Sequence, residues 1–227
     1  MHMQQMGGQA NQMNMNQNMI NASQNKMMQS QQMQSQMNHG GHEVFDLHEV
    51  LDGMINVLDS YILVRTHVKD QELMDILERQ YSFILDQYNI TCECFQTGQD
   101  PSHPTKKYMM KQSNQITYGI NPSQPKKPMQ SMHEVSDQRI AVHMLGLIKS
   151  MATKITMSSL EATNPVVRRV LADTVPNYIE MAYEIFLYQN KLQQYQVPQL
   201  SPQDMSAMMQ SYAPVMNQPI MQNRPMQ

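Results

Sequence analysis

Two long stretches of the chain place apolar residues at intervals of three and four positions, with polar residues between them. This spacing puts the apolar side chains on one face of a helix and predicts amphipathic α-helices. In the first stretch, residues 43–97, a break near residues 67–70 separates two helices, and Asp70 suits the N-cap of the second. The predicted core stripes are Leu47, Leu51, Met54, Ile55, Leu58 and Ile62, then Leu73, Ile76, Leu77, Tyr81, Ile84, Leu85 and Tyr88.

The second stretch, residues 134–197, has the same organisation of helix, short turn and helix. At the turn, Asn164 suits an N-cap and Pro165 suits the first helical position. Pro176 is expected to kink the following helix or to force it to restart. The predicted stripes are Ile140, Met144, Leu147, Met151 and Ile155, then Val167, Val170, Leu171, Val175, Tyr178, Ile179, Ala182, Ile185 and Phe186.

Residues 98–133, between the two stretches, contain five prolines and predict a linker. Neither helical hairpin can bury its apolar stripe alone, so we expect 43–97 to stack on 134–197. The result is an all-α, four-helix bundle with one long crossover, which is the connection found in ferritin-like bundles. A weak correspondence between the two halves favours a duplicated hairpin.

The two ends of the chain differ from this centre. Residues 1–42 form an arm whose first 40 residues hold 11 Gln, 10 Met and 7 Asn, with Lys26 as the only charged side chain. Such a segment cannot bury enough apolar surface to offset its conformational entropy, so we expect a disordered and self-associating arm. Residues 198–227 are a tail rich in Pro and Met, in which 202–209 predict a short helix.

The composition excludes several classes of protein. No apolar run approaches the roughly 18 residues of a membrane span, and two cysteines cannot build a disulfide scaffold. The eight glycines and the shortage of Val/Ile runs argue against a Rossmann sheet or a β-sandwich. Residues 1–10 lack the basic and apolar regions of a secretory signal, so none is expected. The Lys-rich linker has no Arg and few aromatics, which favours a solvated linker over a nucleic-acid site.

A ferritin-like di-metal site needs a Glu on each of two helices and a Glu-x-x-His motif on each of the others. No histidine lies within the second or the fourth predicted helix, where the sequence instead reads Glu78-Arg79-Gln80-Tyr81 and Glu180-Met181-Ala182-Tyr183. We therefore expect no metal, no cofactor and no catalytic residue. The start of the first predicted helix carries His42, Glu43, Asp46, His48 and Glu49. This group predicts either a weak metal site or, more simply, a solvated helix start whose acidic residues complement the helix dipole.

Charge is segregated along the chain. The net charge is −8 over residues 43–97, +4 over 98–133 and zero over 134–197. We therefore expect the linker to lie against the acidic hairpin of its own chain or of a neighbour, and to assist a salt-sensitive association.

Cys92 and Cys94 are two residues apart on a predicted helix and point to different sides of it. This placement suits neither a tetrahedral metal site nor an internal disulfide. We expect one thiol to be packed and the other to be available for an intermolecular bond.

Parts of the second hairpin resemble a known family. The segments are Asn164-Pro165-Val166-Val167-Arg168-Arg169-Val170-Leu171, Asp173-Thr174-Val175-Pro176-Asn177, Glu180-Met181-Ala182-Tyr183-Glu184-Ile185-Phe186, Tyr188-Gln189-Asn190-Lys191 and Tyr195-Gln196-Val197-Pro198-Gln199-Leu200. They resemble the spore coat protein F family of endospore-forming bacteria, closely over 134–213 and more faintly in the first hairpin. The resemblance implies a ferritin-like helical domain without metal or catalytic residues, made in the mother cell cytoplasm and deposited on the forespore as part of the spore coat.

The expected function is that of a structural component of the endospore coat and not of an enzyme. Other spore coat proteins and the chain itself are the expected partners, through contacts that contribute to coat assembly and spore resistance. Two alternatives are a ferritin-like metal-binding oxidase or catalase, and an adaptor that recruits another coat protein. Cross-linking between chains is a further hypothesis. Gln and Lys side chains could be joined by isopeptide bonds, and thiols and phenols could be coupled by oxidation. The candidate cross-linking residues are Cys92, Cys94, Tyr108, Tyr118, Tyr195 and Tyr212.

Overall fold

A computed structural model describes residues 21, 23–27 and 38–215. In these ranges the regular structure is helical, with two isolated bridges from Tyr118 and Gly119 to Val197 and no strand. A single 3₁₀ turn, Met132–Glu134, precedes the third long helix. The α-helices that build the fold are α1 (Gly41–Arg65), α2 (Gln71–Thr97), α3 (Asp137–Glu161), α4 (Pro165–Lys191) and α5 (Pro202–Met209).

Helices α1 to α4 form a four-helix bundle. Helix α1 packs against α2 and α3, and α4 packs against the same two helices, so α1 and α4 lie diagonally opposite each other. Hydrogen bonds from Thr163 to Glu43 and from Asn164 to Gly98 place the start of α1, the end of α2 and the α3–α4 turn at one end. Helices α2 and α3 therefore run in the same direction, and the crossover between them spans the length of the bundle. This confirms the predicted fold of two hairpins joined by a long crossover.

The core of α1 is rotated relative to the predicted stripe. Leu47, Met54 and Leu58 are buried as predicted, but the same face also carries Val50, Val57 and Tyr61, which the pattern analysis omitted. The predicted core positions Ile55 and Ile62 are exposed, as are Leu85 of α2 and Ile179 of α4. Each long helix packs against two neighbouring helices, and the rest of its surface faces solvent. Sequence spacing alone did not show which apolar positions face the neighbours.

The helix starts follow local capping chemistry. The Asp70 carboxylate accepts a hydrogen bond from the Leu73 backbone N–H at 3.1 Å. The Asn164 side chain accepts from the N–H groups of Val166 and Val167 at 2.9 and 3.1 Å, with Pro165 at the first helical position. Both predicted caps are confirmed, and each satisfies backbone donors that have no partner inside the helix.

Of the two outcomes predicted for Pro176, a kink or a restart of the fourth helix, the restart was wrong, because α4 continues through this residue from Pro165 to Lys191. Proline removes one N–H donor and leaves the carbonyl of the residue four positions earlier without its helical partner. Here both Pro176 and Ala172 are on the exposed side of α4, so that carbonyl can be hydrated. Buried neighbours such as Leu171 and Tyr178 hold the helix on both sides of the proline.

Helices α1 and α3 approach each other closely at Gly53. A Cβ atom added at Gly53 would lie 2.5 Å from the sulfur of Met151, well inside van der Waals contact. Met151 is buried and fills the space that the missing side chain leaves. The glycine therefore sets the distance between the two helices.

Glu43 joins the first turn of α1 to the α3–α4 turn, and its burial corrects the expectation of a solvated helix start at this residue. His42, His48 and Glu49 of the same group are exposed, as expected. The Glu43 carboxylate is buried and accepts hydrogen bonds from the Thr163 N–H and hydroxyl at 2.6 and 2.5 Å, from the Asn164 N–H at 2.9 Å and from His39 at 2.7 Å. Burial by itself raises the pKa of Glu43, but these hydrogen bonds outweigh it and hold the pKa below its ordinary value.

The predicted disorder of the N-terminal arm concerns residues that lie mostly outside the described ranges. Of that arm, residues 23–27 are helical and solvent-exposed. Across the described part of the chain, none of the helices combines the length and apolar character needed to cross a bilayer.

We expect Glu43→Gln to lower the free energy of unfolding by about 2 kcal/mol at neutral pH, because the buried N–H donors lose a charged acceptor. Since the folded-state pKa is lowered, this stabilisation is complete above the unfolded carboxyl pKa of about 4.3 and is lost as the pH falls through the folded value. Urea unfolding across this pH range measures the difference. Glu49→Gln on the exposed face of α1 is the matched control, and equal effects of the two substitutions would contradict the assignment.

Candidate functional site

The crossover between α2 and α3 is hydrogen-bonded to the bundle. Residues 105–121, which we call the strap, lie along α4 without regular secondary structure and are bonded to it at successive points. The Tyr108 N–H donates to the side chain of Asn177 at 2.8 Å, and the Thr117 N–H donates to that of Asn190 at 2.7 Å. The strap thus covers the side of the bundle between α2 and α4.

A buried carboxylate, Glu184 of α4, forms the central attachment of the strap. It accepts hydrogen bonds from the Tyr108 hydroxyl and from the Lys111 backbone N–H, the latter at 2.9 Å. Arg79 of α2 donates to the same carboxylate at 2.5 Å and to the Tyr108 hydroxyl oxygen at 3.3 Å. Phe83 packs edge-on against the Tyr108 ring, with 5.4 Å between ring centroids. Three separate segments, α2, the strap and α4, therefore meet at one carboxylate.

Side-chain amides supply the remaining partners of the strap. Asn190 accepts from the Thr117 N–H and donates to the Thr117 carbonyl at 2.9 Å. Gln196 pairs in the same way with both backbone groups of Asn121, at 2.7 and 3.0 Å. A carboxamide carries a donor and an acceptor side by side, as a neighbouring β-strand would. Asn190 and Gln196 therefore satisfy the backbone groups of Thr117 and Asn121, on either side of the bridge from Gly119 to Val197.

The electrostatics of this cluster keep Tyr108 and Arg79 each in one protonation state. Burial raises the pKa of Tyr108, and the hydrogen bond to Glu184 raises it further. For Arg79, burial lowers the pKa but the bond to Glu184 outweighs it, so the pKa lies above its ordinary value. Neither group titrates at physiological pH, and the arrangement is suited to permanent attachment and not to proton transfer.

The middle of the bundle contains a second polar chain. The Tyr61 hydroxyl donates to the Gln80 side chain at 2.7 Å, and the Gln80 amide donates to the Met181 carbonyl at 3.1 Å, which links α1, α2 and α4. Burial raises the pKa of Tyr178, another phenol of this core. In the described ranges, no three His, Cys, Asp or Glu side chains are grouped so that they could hold a metal ion.

The six candidate cross-linking residues differ in how accessible they are in the folded protein. Cys94 and Tyr108 are buried, and Tyr108 is committed to Glu184. Cys92 is half-buried, and both thiols are free. The exposed members, which a partner chain or reagent can reach in the folded protein, are Tyr118, Tyr195 and Tyr212.

The residues that carry this site were not predicted from the sequence. Glu78 and Glu180 stand where a metal-binding motif was sought, whereas Glu78 pairs with Arg65 at the surface and the buried carboxylate of this site is Glu184. One signal was present in the sequence. Glu184 lies three residues after Met181 and four before Tyr188, so all three share the face of the helix that points into the core. A charged side chain on that face needs a buried partner. The identity of that partner came from the crossover and could not be deduced from periodicity.

We expect Glu184→Gln to lower the free energy of unfolding by roughly 3 kcal/mol, because Arg79 loses its buried counter-ion. The strap should also become accessible to trypsin after Lys106, Lys107 and Lys111. Urea unfolding and the rate of cleavage measure the two effects. Glu180→Gln, one helical turn earlier on α4, is the control, and an unchanged cleavage rate in Glu184→Gln would contradict the attachment.

We expect a maleimide to label one thiol per folded chain at about pH 8, since burial raises the pKa of Cys94 to about 12 and keeps it in the thiol form. Mass spectrometry of the intact protein counts the labels. Cys92→Ser should abolish labelling of the folded protein, and urea should restore labelling at Cys94. Two labels on the folded wild-type chain would disprove this difference between the thiols.

Comparison with known proteins connects this architecture to a family. Residues 136–198, which comprise α3, α4 and the turn after them, match the Coat F domain. The chain is 55% identical over 197 residues to the spore coat protein F-like protein YhcQ of Bacillus subtilis (strain 168), an alignment that covers 82% of this chain and 91% of the relative. No solved structure matches significantly. The chain therefore belongs to the spore coat protein F-like family, which confirms the family predicted from the second hairpin and the association with the spore coat.

Proposed function

We propose that this protein is a non-enzymatic structural component of the spore coat, and that it contributes to coat assembly and spore resistance through protein–protein contacts. The observation that carries the proposal is the engagement of Glu184, whose two oxygens accept from Arg79, Tyr108 and Lys111 of the same chain. The carboxylate is fully buried and joins three separate segments of the fold, α2, the strap and α4, so its role is to hold the fold.

The surface supports a role in association. Large apolar side chains are exposed on several helices, among them Phe45, Ile62, Met157, Leu160 and Ile179. Exposed apolar groups of this size favour contacts with other proteins. The proposed partners are other spore coat proteins and further copies of this chain.

Oxidative cross-linking is a second part of the proposal. Two exposed phenols, such as Tyr118 and Tyr212, can each give up one hydrogen to a peroxide and form one carbon–carbon bond, while the peroxide is reduced to two waters. Tyr108 is kept from this reaction by its burial, because a second phenol cannot reach its ring. Residues available for coupling in the folded protein are Cys92, Tyr118, Tyr195 and Tyr212.

We expect an epitope-tagged chain to be recovered from purified spores in the fraction that detergent and reductant extract from the coat. Immunoblots of the coat extract, the decoated spores and the mother-cell lysate measure its distribution. Spores that lack the protein should be more sensitive to lysozyme, which an intact coat excludes. Recovery only in the mother-cell lysate or in decoated spores would refute the proposal. Spores of an untagged strain provide the control.

A further inference from the structure

The outer side of the α1/α2 hairpin is both apolar and acidic. Ile55, Ile62 and Leu85 expose 38, 49 and 39% of their surface there, beside the half-buried Leu51, Tyr81 and Tyr88. Asp52 and Asp59 flank these residues on α1, and neither forms an ion pair within the described part of the chain. We call this set of eight residues the acidic face.

A groove of about 770 Å³ lies between crossover residues 124–129 and the start of α3. Lys126 and Lys127 line it and are exposed, and neither forms an ion pair with a residue that the structure describes. Met129 and Val142 add apolar surface, with 47 and 48% exposed. The remaining lining residues include His143 and the ion pair between Arg139 and Glu134 at 3.7 Å. The net positive charge therefore comes from Lys126 and Lys127, and we call this the basic groove.

We propose that the acidic face of one copy of this chain docks into the basic groove of a second copy. The two surfaces are complementary in charge, and each offers apolar side chains that the other can cover. The inference rests on the proposed function, because it names the surfaces through which the chain associates with itself.

The position of the two surfaces determines the kind of assembly. The packing of α1 and α4 against the same pair of helices puts the α1/α2 side opposite the α3/α4 side. The basic groove lies on α3 and adjoins a smaller pocket at the α3–α4 seam, with which it shares Lys126 and Val142. Contact between two different and opposite surfaces is heterologous, and it builds rings or open chains of several copies instead of closing as a twofold dimer.

A second copy fits the basic groove better than the terminal segments do. Residues 1–20, 28–37 and 216–227, which lie outside the described ranges, contain no Asp or Glu. They cannot neutralise Lys126 and Lys127. The acidic face carries two carboxylates without ion pairs and is therefore the favoured occupant.

Charge reversal of the full-length protein tests the contact. We expect wild type to associate with rising concentration, and an increase from about 50 to about 500 mM NaCl to weaken the association. Lys126→Glu with Lys127→Glu should raise the dissociation constant roughly tenfold or more, and so should Asp52→Lys with Asp59→Lys. An equimolar mixture of the two variants should restore association, because each then supplies the surface that the other needs. Sedimentation velocity measures the species, and circular dichroism checks that each variant is folded.

Control substitutions reverse the same number of charges elsewhere. Arg168→Glu with Arg169→Glu on the exposed side of α4, and Asp100→Lys with Asp173→Lys, should leave association unchanged. The inference is overturned if wild type stays monomeric, if the control pairs have the same effect, if the mixture stays dissociated, or if a peptide of residues 1–37 displaces the second copy. Since these experiments use purified protein and the test of the proposed function uses spores, either idea can fail while the other stands.

Discussion

The fold depends on how the carboxylate of Glu184 is neutralised inside the protein. A buried carboxylate is costly unless charged and polar donors surround it. Arg79 supplies the charge, and the strap supplies a hydroxyl and a backbone N–H. The interaction therefore makes an irregular crossover a required part of the bundle, since removing the strap would leave Glu184 with an incomplete shell. On either side of Glu184 along α4, Asn177 and Asn190 also accept hydrogen bonds from backbone N–H groups of the strap.

The two buried carboxylates have complementary positions. Glu43 joins the beginning of α1 to the α3–α4 turn, and Glu184 joins α2, the strap and α4. Each links segments that are far apart in sequence, and each contact is possible only in the folded bundle. Their attachments fix the relative positions of the two hairpins, while the surfaces of the hairpins remain available for contacts with other molecules.

The sequence predicted features that depend on local chemistry. The helical periods, the caps at Asp70 and Asn164 and the long crossover could all be deduced from spacing and composition. Features that depend on distant residues could not. Ile55 and Ile62 have the same helical spacing as core residues, and only the position of α2 shows that they face outward. Likewise, no local pattern connects Tyr108 with Glu184, because the contact joins positions 76 residues apart.

The contact between Gly53 and Met151 has a consequence for the chemistry of the methionines. Conversion of a thioether to a sulfoxide adds an oxygen and a need for hydrogen bonds, and the sulfur of Met151 has room for neither beside the α1 backbone. Met157, Met208 and Met209 are exposed and meet an oxidant first. Their conversion leaves the helix packing unchanged, so the surface thioethers can consume oxidant before it reaches the interior.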